Sequence, residues 1–290
     1  MPNNRIAEVA KMLRLRLGSG VLIFLSLIIL MGCEGGGGER VLNNKESLKE
    51  ISSEMIEIFG KRRILFGHKS VGYNILSGVE DIRKSDGRFK GMNIKELKED
   101  SGELTEGGIY HLQNGKNRFP KDKCDAFKKV LTEKGMGTRV DIAFFKFCFI
   151  DFPTDSNVQD IFDYYVKTID SVKNQFPKLK IIHVTVPLTA HTWGVKSYLR
   201  TLLKGDLENV RRNEFNKLLI NKYKDKDPIY DLARVESTHP DGKRESFKYR
   251  GEKFFALIKP YTMDGGHLNE LGRFYAAKEL LVVLSQAAAL

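Results

Sequence analysis

Arg63-Ile64-Leu65-Phe66-Gly67, running straight into His68-Lys69-Ser70-Val71-Gly72, decides the fold. Arg63 to Phe66 reads as a short buried strand that ends at Gly67. Val71, Ile75, Val79 and Ile82 then recur at helical spacing. A strand that turns directly into a helix is the start of a β-α-β unit, and Ser70 stands at the turn.

The same alternation continues along the chain. Asp141 to Phe147 (DIAFFKF) is a second buried strand. Ser156 with Gln159 has the pattern of a capping box, opening a helix that runs to about Phe176 and stops at Pro177. Leu179 to Val186 (LKIIHVTV) is a third strand, closed by Pro187; Leu207 to Tyr223 reads as a helix, Ile229 to Leu232 as a short strand, and about Asn269 to Ser285 as the last helix. This order predicts an α/β domain, a three-layer α/β/α arrangement with a mostly parallel central sheet, flavodoxin-like in outline. Loops at the carboxyl ends of such strands share one edge, so Ser70, Asp151 and the turn after Val186 should gather there. Lys90 to Arg139 is less regular, with Tyr110 to Pro120 read as a long loop over that edge and Val235 to Gly251 as a polar surface loop.

The first residues read as a leader. Arg5, Lys11, Arg14 and Arg16 precede Val21 to Met31, an apolar run interrupted only by Ser26. That run is short of the roughly 20 apolar residues a membrane span needs, and suits a signal segment. It ends in Leu30-Met31-Gly32-Cys33, which resembles a bacterial lipobox with Cys33 as the acylated residue; an uncleaved N-terminal anchor is the alternative. Gly35 to Gly38 follow as a flexible tether with a reach of about 10 Å. The expected organisation is a signal peptide over 1–32, a lipidated cysteine and tether over 33–45, and one domain over 46–290, placed at the bacterial cell envelope facing the periplasm or exterior. Loss of residues 1–32 takes the formal charge from +11 to +8. Acids are interleaved with the bases throughout, and no nucleic-acid recognition motif is present, so a nucleic-acid partner is not expected. Cys124 and Cys148 are expected as buried free thiols, Cys148 closing an apolar run.

Asp264-Gly265-Gly266-His267 supplies the chemistry to go with Ser70. A serine hydroxyl needs a base to take its proton, and the base needs an acid to hold its tautomer. Asp264 and His267 are three residues apart, so one loop can present both. Ser70 begins a helix, where unpaired backbone N–H groups face an anion; its bland role is a helix N-cap. His68 either packs near Ser70 or acts as a second base. His111, His183, His191 and His239 lack H-x-x-x-H or H-x-H spacing, so no metal site is expected, and no cofactor is called for. Trp193, in a polar loop, is a loop anchor or a sugar-stacking platform.

With these residues in place, the chain resembles the SGNH/GDSL hydrolase superfamily, in blocks between Arg62 and the C-terminus. Ile64-Leu65-Phe66-Gly67 with Ser70 is similar to the first block, Asp141 to Asp151 to a middle block, and Asp264 to Gly272 to the closing D-x-x-H loop. His68-Lys69-Ser70-Val71-Gly72, Lys146-Phe147-Cys148 and the closing block are similar to a divergent bacterial lipoprotein branch. Two departures stand out. The family's serine follows an aspartate two positions beyond the glycine, whereas here His68-Lys69 intervene. The family's middle block ends Gly-x-Asn-Asp, whereas here Cys148-Phe149-Ile150-Asp151 puts isoleucine where an oxyanion-binding asparagine is expected.

The resemblance implies a carboxylic ester hydrolase with Ser70 as nucleophile, His267 as base and Asp264 as its orienting acid. A replacement for the missing amide is expected from the loop Gln113-Asn114-Gly115-Lys116-Asn117: the Gly115 N–H and an Asn114 or Asn117 side chain. The implied substrate is an O-acyl group on an envelope or extracellular polysaccharide, or another ester, with the membrane met through the lipid anchor. Two other readings stay open: an O-acyltransferase using the same residues, and a non-catalytic envelope binding module that kept the fold.

Overall fold

Strand β1 (Arg63–His68) lies at the centre of the sheet because every residue after Arg63 is buried on one face or the other. Ile64 and Phe66 point into one apolar cluster and Leu65 into a second, as the two-residue period of a strand requires. The computed structural model describes residues 48, 51–97, 104–191 and 206–289, within one compact unit, Lys45–Leu290. The expected leader 1–32, the segment 33–45 with Cys33, and Trp193 lie outside the described residues.

The elements that follow are α1 (Ser53–Gly60) before β1, then α2 (Ser70–Ser85), β2 (Asn93–Glu96), β3 (Gly108–Gln113), α3 (Pro120–Thr132), β4 (Ile142–Phe145), α4 (Val158–Gln175), β5 (Lys180–Ile181) and β6 (His183–Val184). The chain continues through α5 (Leu207–Tyr223), β7 (Ile229–Tyr230), α6 (Leu232–Ser237), β8 (Ser246–Tyr249), β9 (Glu252–Phe255) and α7 (Glu270–Ala289). The main sheet has the order β2-β3-β1-β4-β5, all parallel, and β6 pairs in parallel with β7. β5 and β6 are one extended run: Ile182 N–H still bonds Ala143 O at 3.2 Å, while His183 N–H bonds Pro228 O at 2.9 Å on the other side. The third expected strand therefore joins the two sheets.

Helices α1, α2, α6 and α7 cover one face and α3, α4 and α5 the other, each side with its own apolar cluster. This is the three-layer α/β/α architecture with a mostly parallel sheet. β1 lies between β3 and β4, so the loops leaving its two neighbours diverge beside Ser70 and open a crevice there.

Local differences from the sequence reading have identifiable causes. Helix α4 is capped by Asn157, whose Oδ1 accepts from Asp160 N–H at 3.1 Å, and Ser156 instead closes a turn to Pro153 O. Tyr110 to Gln113 is interior strand, not loop: its polar His111 is satisfied by His68 across the ladder, which hides the strand from an apolar-pattern reading. Val235 to Gly251 holds the end of α6 and the first strand of the β8–β9 hairpin. Ile229 to Leu232 is shorter as a strand because Asp231 caps α6. Cys124 and Cys148 are buried and unpaired. Among the described residues no helix is long and apolar enough to cross a membrane.

Candidate active site

Ser70 is the first residue of α2, and its hydroxyl caps nothing: the N-cap is Lys69, in extended conformation. The Ser70 Oγ instead lies 3.0 Å from His267 Nε2, a residue 197 positions away. His267 Nδ1 is 2.6 Å from Asp264 Oδ2. A carboxylate accepts, so Nδ1 carries the hydrogen and Nε2 presents its lone pair to the serine hydroxyl. That is the tautomer a general base requires.

The loop holds this geometry with its own backbone. Asp264 Oδ1 accepts from the N–H groups of His267 (2.8 Å) and Gly266 (2.9 Å). The His267 side chain first, then these two amides, hold the Asp264 carboxyl well below the usual carboxylate range. Leu268 N–H donates to Asn74 Oδ1 at 3.2 Å, tying the loop to α2 one turn beyond Ser70, and Ala190 N–H donates to Gly265 O at 2.8 Å, tying it to the segment after β6. Behind it, Arg273 at the start of α7 pairs with Asp81 of α2 at 2.7 Å. The Phe149 ring meets the His267 imidazole edge-on, with centroids 5.6 Å apart.

The oxyanion candidates separate. The Ser70 and Val71 amides belong to the first turn of α2, where a helix offers no acceptor. Gly115 follows β3 at φ 60°, a conformation that favours glycine, and a Cβ there would stand 2.7 Å from Lys123 Cα. Asn114 is corrected: it is buried and its Nδ2 donates to Lys123 O at 3.0 Å, so its amide is turned into the protein. Asn117 is exposed, and its Oδ1 accepts from Lys123 Nζ at 3.1 Å, which leaves its Nδ2 hydrogens to the outside. Ile150 brings no donor, as its sequence position implied.

Two residues that sequence reasoning did not single out brace these loops. Lys123 Nζ forms a 2.7 Å ion pair with Asp151 Oδ2, and both side chains have 0% exposure. Asp151 also accepts from Cys148 N–H and Arg118 N–H, so one buried carboxylate organises the loops after β3 and β4. Arg212 donates to Phe149 O (2.8 Å), Thr189 Oγ1 (2.7 Å), Asn209 Oδ1 (2.7 Å) and Glu208 Oε2 (2.9 Å), joining the loops after β4 and β6. The available signal was a cation on an apolar helix face: Lys123 shares its stripe with Cys124, Phe127, Val130 and Leu131. His68 is fully buried with both ring nitrogens engaged, so it does not serve as a base. Among the described residues no cluster of His, Cys, Asp and Glu is arranged to hold a metal ion.

No family model and no curated protein sequence matches this chain. Among solved structures it is similar to a protein assigned to the G-D-S-L family from Desulfitobacterium hafniense DCB-2, with 7% identity over 77% of this chain and 99% of that one, at a TM-score of 0.45. It is also similar to a lipase/acylhydrolase from Enterococcus faecalis (15% identity, 77% and 93% covered, TM-score 0.45) and to Axe2, an acetylxylan esterase from Geobacillus stearothermophilus (11% identity, 78% and 95% covered, TM-score 0.40). These are distant likenesses of fold alone.

Lys123→Met leaves the Asp151 carboxylate buried without a counter-ion and should cost about 3–5 kcal/mol of stability. Urea denaturation checks this, and a loss below about 1 kcal/mol would contradict the bracing role. Buried histidines also set the acid sensitivity of the fold. Burial lowers the pKa of His68 to about 3 and lowers those of His111 and His183 from 6.5. The unfolded chain then binds more protons below about pH 6.5, so stability falls as pH drops through that value. Glu236, raised by burial to about 8, opposes them. The denaturation midpoint should be lower at pH 5 than at pH 7; a midpoint that rises on acidification contradicts the neutral assignment.

Proposed function

We propose that this chain is an exported, lipid-anchored serine ester hydrolase that removes O-acyl groups from an envelope or extracellular polysaccharide. The hydrogen-bonded line from Asp264 through His267 to Ser70 carries the reading. Ser70 Oγ attacks the acyl carbonyl as its proton passes to His267 Nε2. Asp264 stays ionised and stabilises the imidazolium that forms. The developing oxyanion meets the Ser70 and Gly115 N–H groups, with the Asn117 amide in the place left by Ile150. Collapse releases the alcohol, which takes the proton from Nε2, and water then repeats the sequence to free the acid.

The openness of the site supports a polymer-borne ester. The His267 and Asp264 side chains are 43% and 56% exposed, so the reacting groups stand at the rim of the sheet edge rather than in a tunnel. The lipobox-like run ending in Cys33 supports the location. Ile150 favours one second reading, a binding module on the same fold, because one oxyanion donor is worth about 2.7–4 kcal/mol.

Ser70→Ala or His267→Ala should lower kcat on a short-chain aryl ester by about 10⁴–10⁶, and Asp264→Asn by somewhat less. Because the Ser70 hydroxyl caps nothing, Ser70→Ala should change stability by no more than about 0.5 kcal/mol. Equal turnover in Ser70→Ala would place the nucleophile elsewhere, and a folded wild type inert to the ester would favour the binding module. Cys33→Ser should leave unprocessed or mislocalised protein. Mass spectrometry that finds unmodified Cys33 in membrane-bound material would remove the anchor from this account.

A further inference from the structure

The peptide unit joining Lys69 to Ser70 decides where the nucleophile's own amide points. In a planar trans peptide the C=O and N–H are directed oppositely, so whatever fixes the Lys69 oxygen fixes the Ser70 N–H. Three donors converge on that oxygen: Gly72 N–H at 2.8 Å, Tyr73 N–H at 3.2 Å, and His68 Nδ1 at 2.9 Å. The two amides are the ordinary first turn of a helix. The imidazole is additional, and it approaches from the strand that precedes the turn.

The His68 ring is itself fixed on every side. A carbonyl only accepts, so Nδ1 carries the hydrogen. His68 is fully buried and burial keeps it neutral, so its Nε2, 3.1 Å from His111 Nδ1, accepts from that nitrogen. His111 stands on β3 in register with Phe66 of β1. The Phe66 ring lies 4.7 Å from the imidazole, and Tyr73 meets it edge-on at 4.6 Å. Gly72 supplies the space beneath: a Cβ there would fall 2.3 Å from His68 Cβ and Cγ. A rigid sheet thus reaches the Lys69–Ser70 peptide through two imidazoles, at the position where His68-Lys69 make the turn one residue longer than the family pattern.

We propose that His68 is a positioning residue, which with His111 behind it and Gly72 beneath it holds the Lys69–Ser70 peptide so that the Ser70 N–H serves as an oxyanion donor. The proposal rests on the reading of Ser70 as nucleophile. It accounts together for His68 and Gly72 of the turn and His111 of β3, none of which the triad uses.

The test uses the full chain and the variants His68→Ala, His68→Asn, Gly72→Ala and the double variant His68→Ala with Gly72→Ala. His68→Ala should lower kcat on an aryl ester by about 10–10², a misaligned rather than a missing donor, with KM within about twofold. His68→Asn, whose amide nitrogen falls where Nδ1 stands, should recover most of that loss, which a purely space-filling role would not produce. Gly72→Ala should match His68→Ala, and the double variant should be no worse than either, since the added methyl acts only by displacing the imidazole. A raised KM at unchanged kcat, an asparagine variant no better than alanine, or additive losses would overturn the proposal. If His68→Ala does not fold, His68→Asn and Gly72→Ala carry the same comparison. A wild type inert to the ester would sink the hydrolase reading itself; crystal structures of wild type and Gly72→Ala then decide the positioning claim, which needs the Lys69–Ser70 peptide turned in the variant and fails if it is unmoved.

Discussion

Charge buried at the carboxyl edge of the sheet holds this site together. Lys123 and Asp151 have no solvent exposure, and Arg212 is likewise fully buried. A buried ion left unpaired costs several kcal/mol, so each of these groups tolerates only arrangements that keep its partners in place. Lys123–Asp151 fixes the loops after β3 and β4, and Arg212 fixes the loops after β4 and β6. Irregular backbone at the edge thereby acquires one geometry, and the reacting groups stand on it.

On that frame the reacting groups themselves are exposed. Ser70 is supplied by the end of β1, the central strand of the five, and His267 is lowered onto it by a loop anchored to Asn74 and Ala190. A braced floor therefore lies beneath an open rim. On the neighbouring loop, Lys123 Nζ donates to Asn117 Oδ1.

Much of this was legible in the sequence where the determinants are local. α5 begins and ends at Leu207 and Tyr223 as its pattern indicates, because Asp206 caps it and its buried positions recur at helical spacing. The Asp264–His267 spacing and the strand-to-helix turn at Ser70 are local as well. What could not be read depends on partners far along the chain. β3 is masked because His111 is satisfied by His68, 43 residues earlier. Arg212 reaches Phe149 across 63 positions and Glu236 reaches Leu188 across 48. Asn114 and Asn117 are three residues apart and equally plausible as donors in sequence; only the placement of Lys123 on α3 turns one inward and the other outward.

The most direct measurement of the central claim is covalent trapping of the nucleophile. Folded protein is incubated with an aryl fluorophosphonate, digested, and mapped by peptide mass spectrometry. A single phosphonyl adduct on Ser70 is expected, formed by wild type and lost in His267→Ala. Folded protein that acquires no adduct, or an adduct on another residue with Ser70 unmodified, would contradict it.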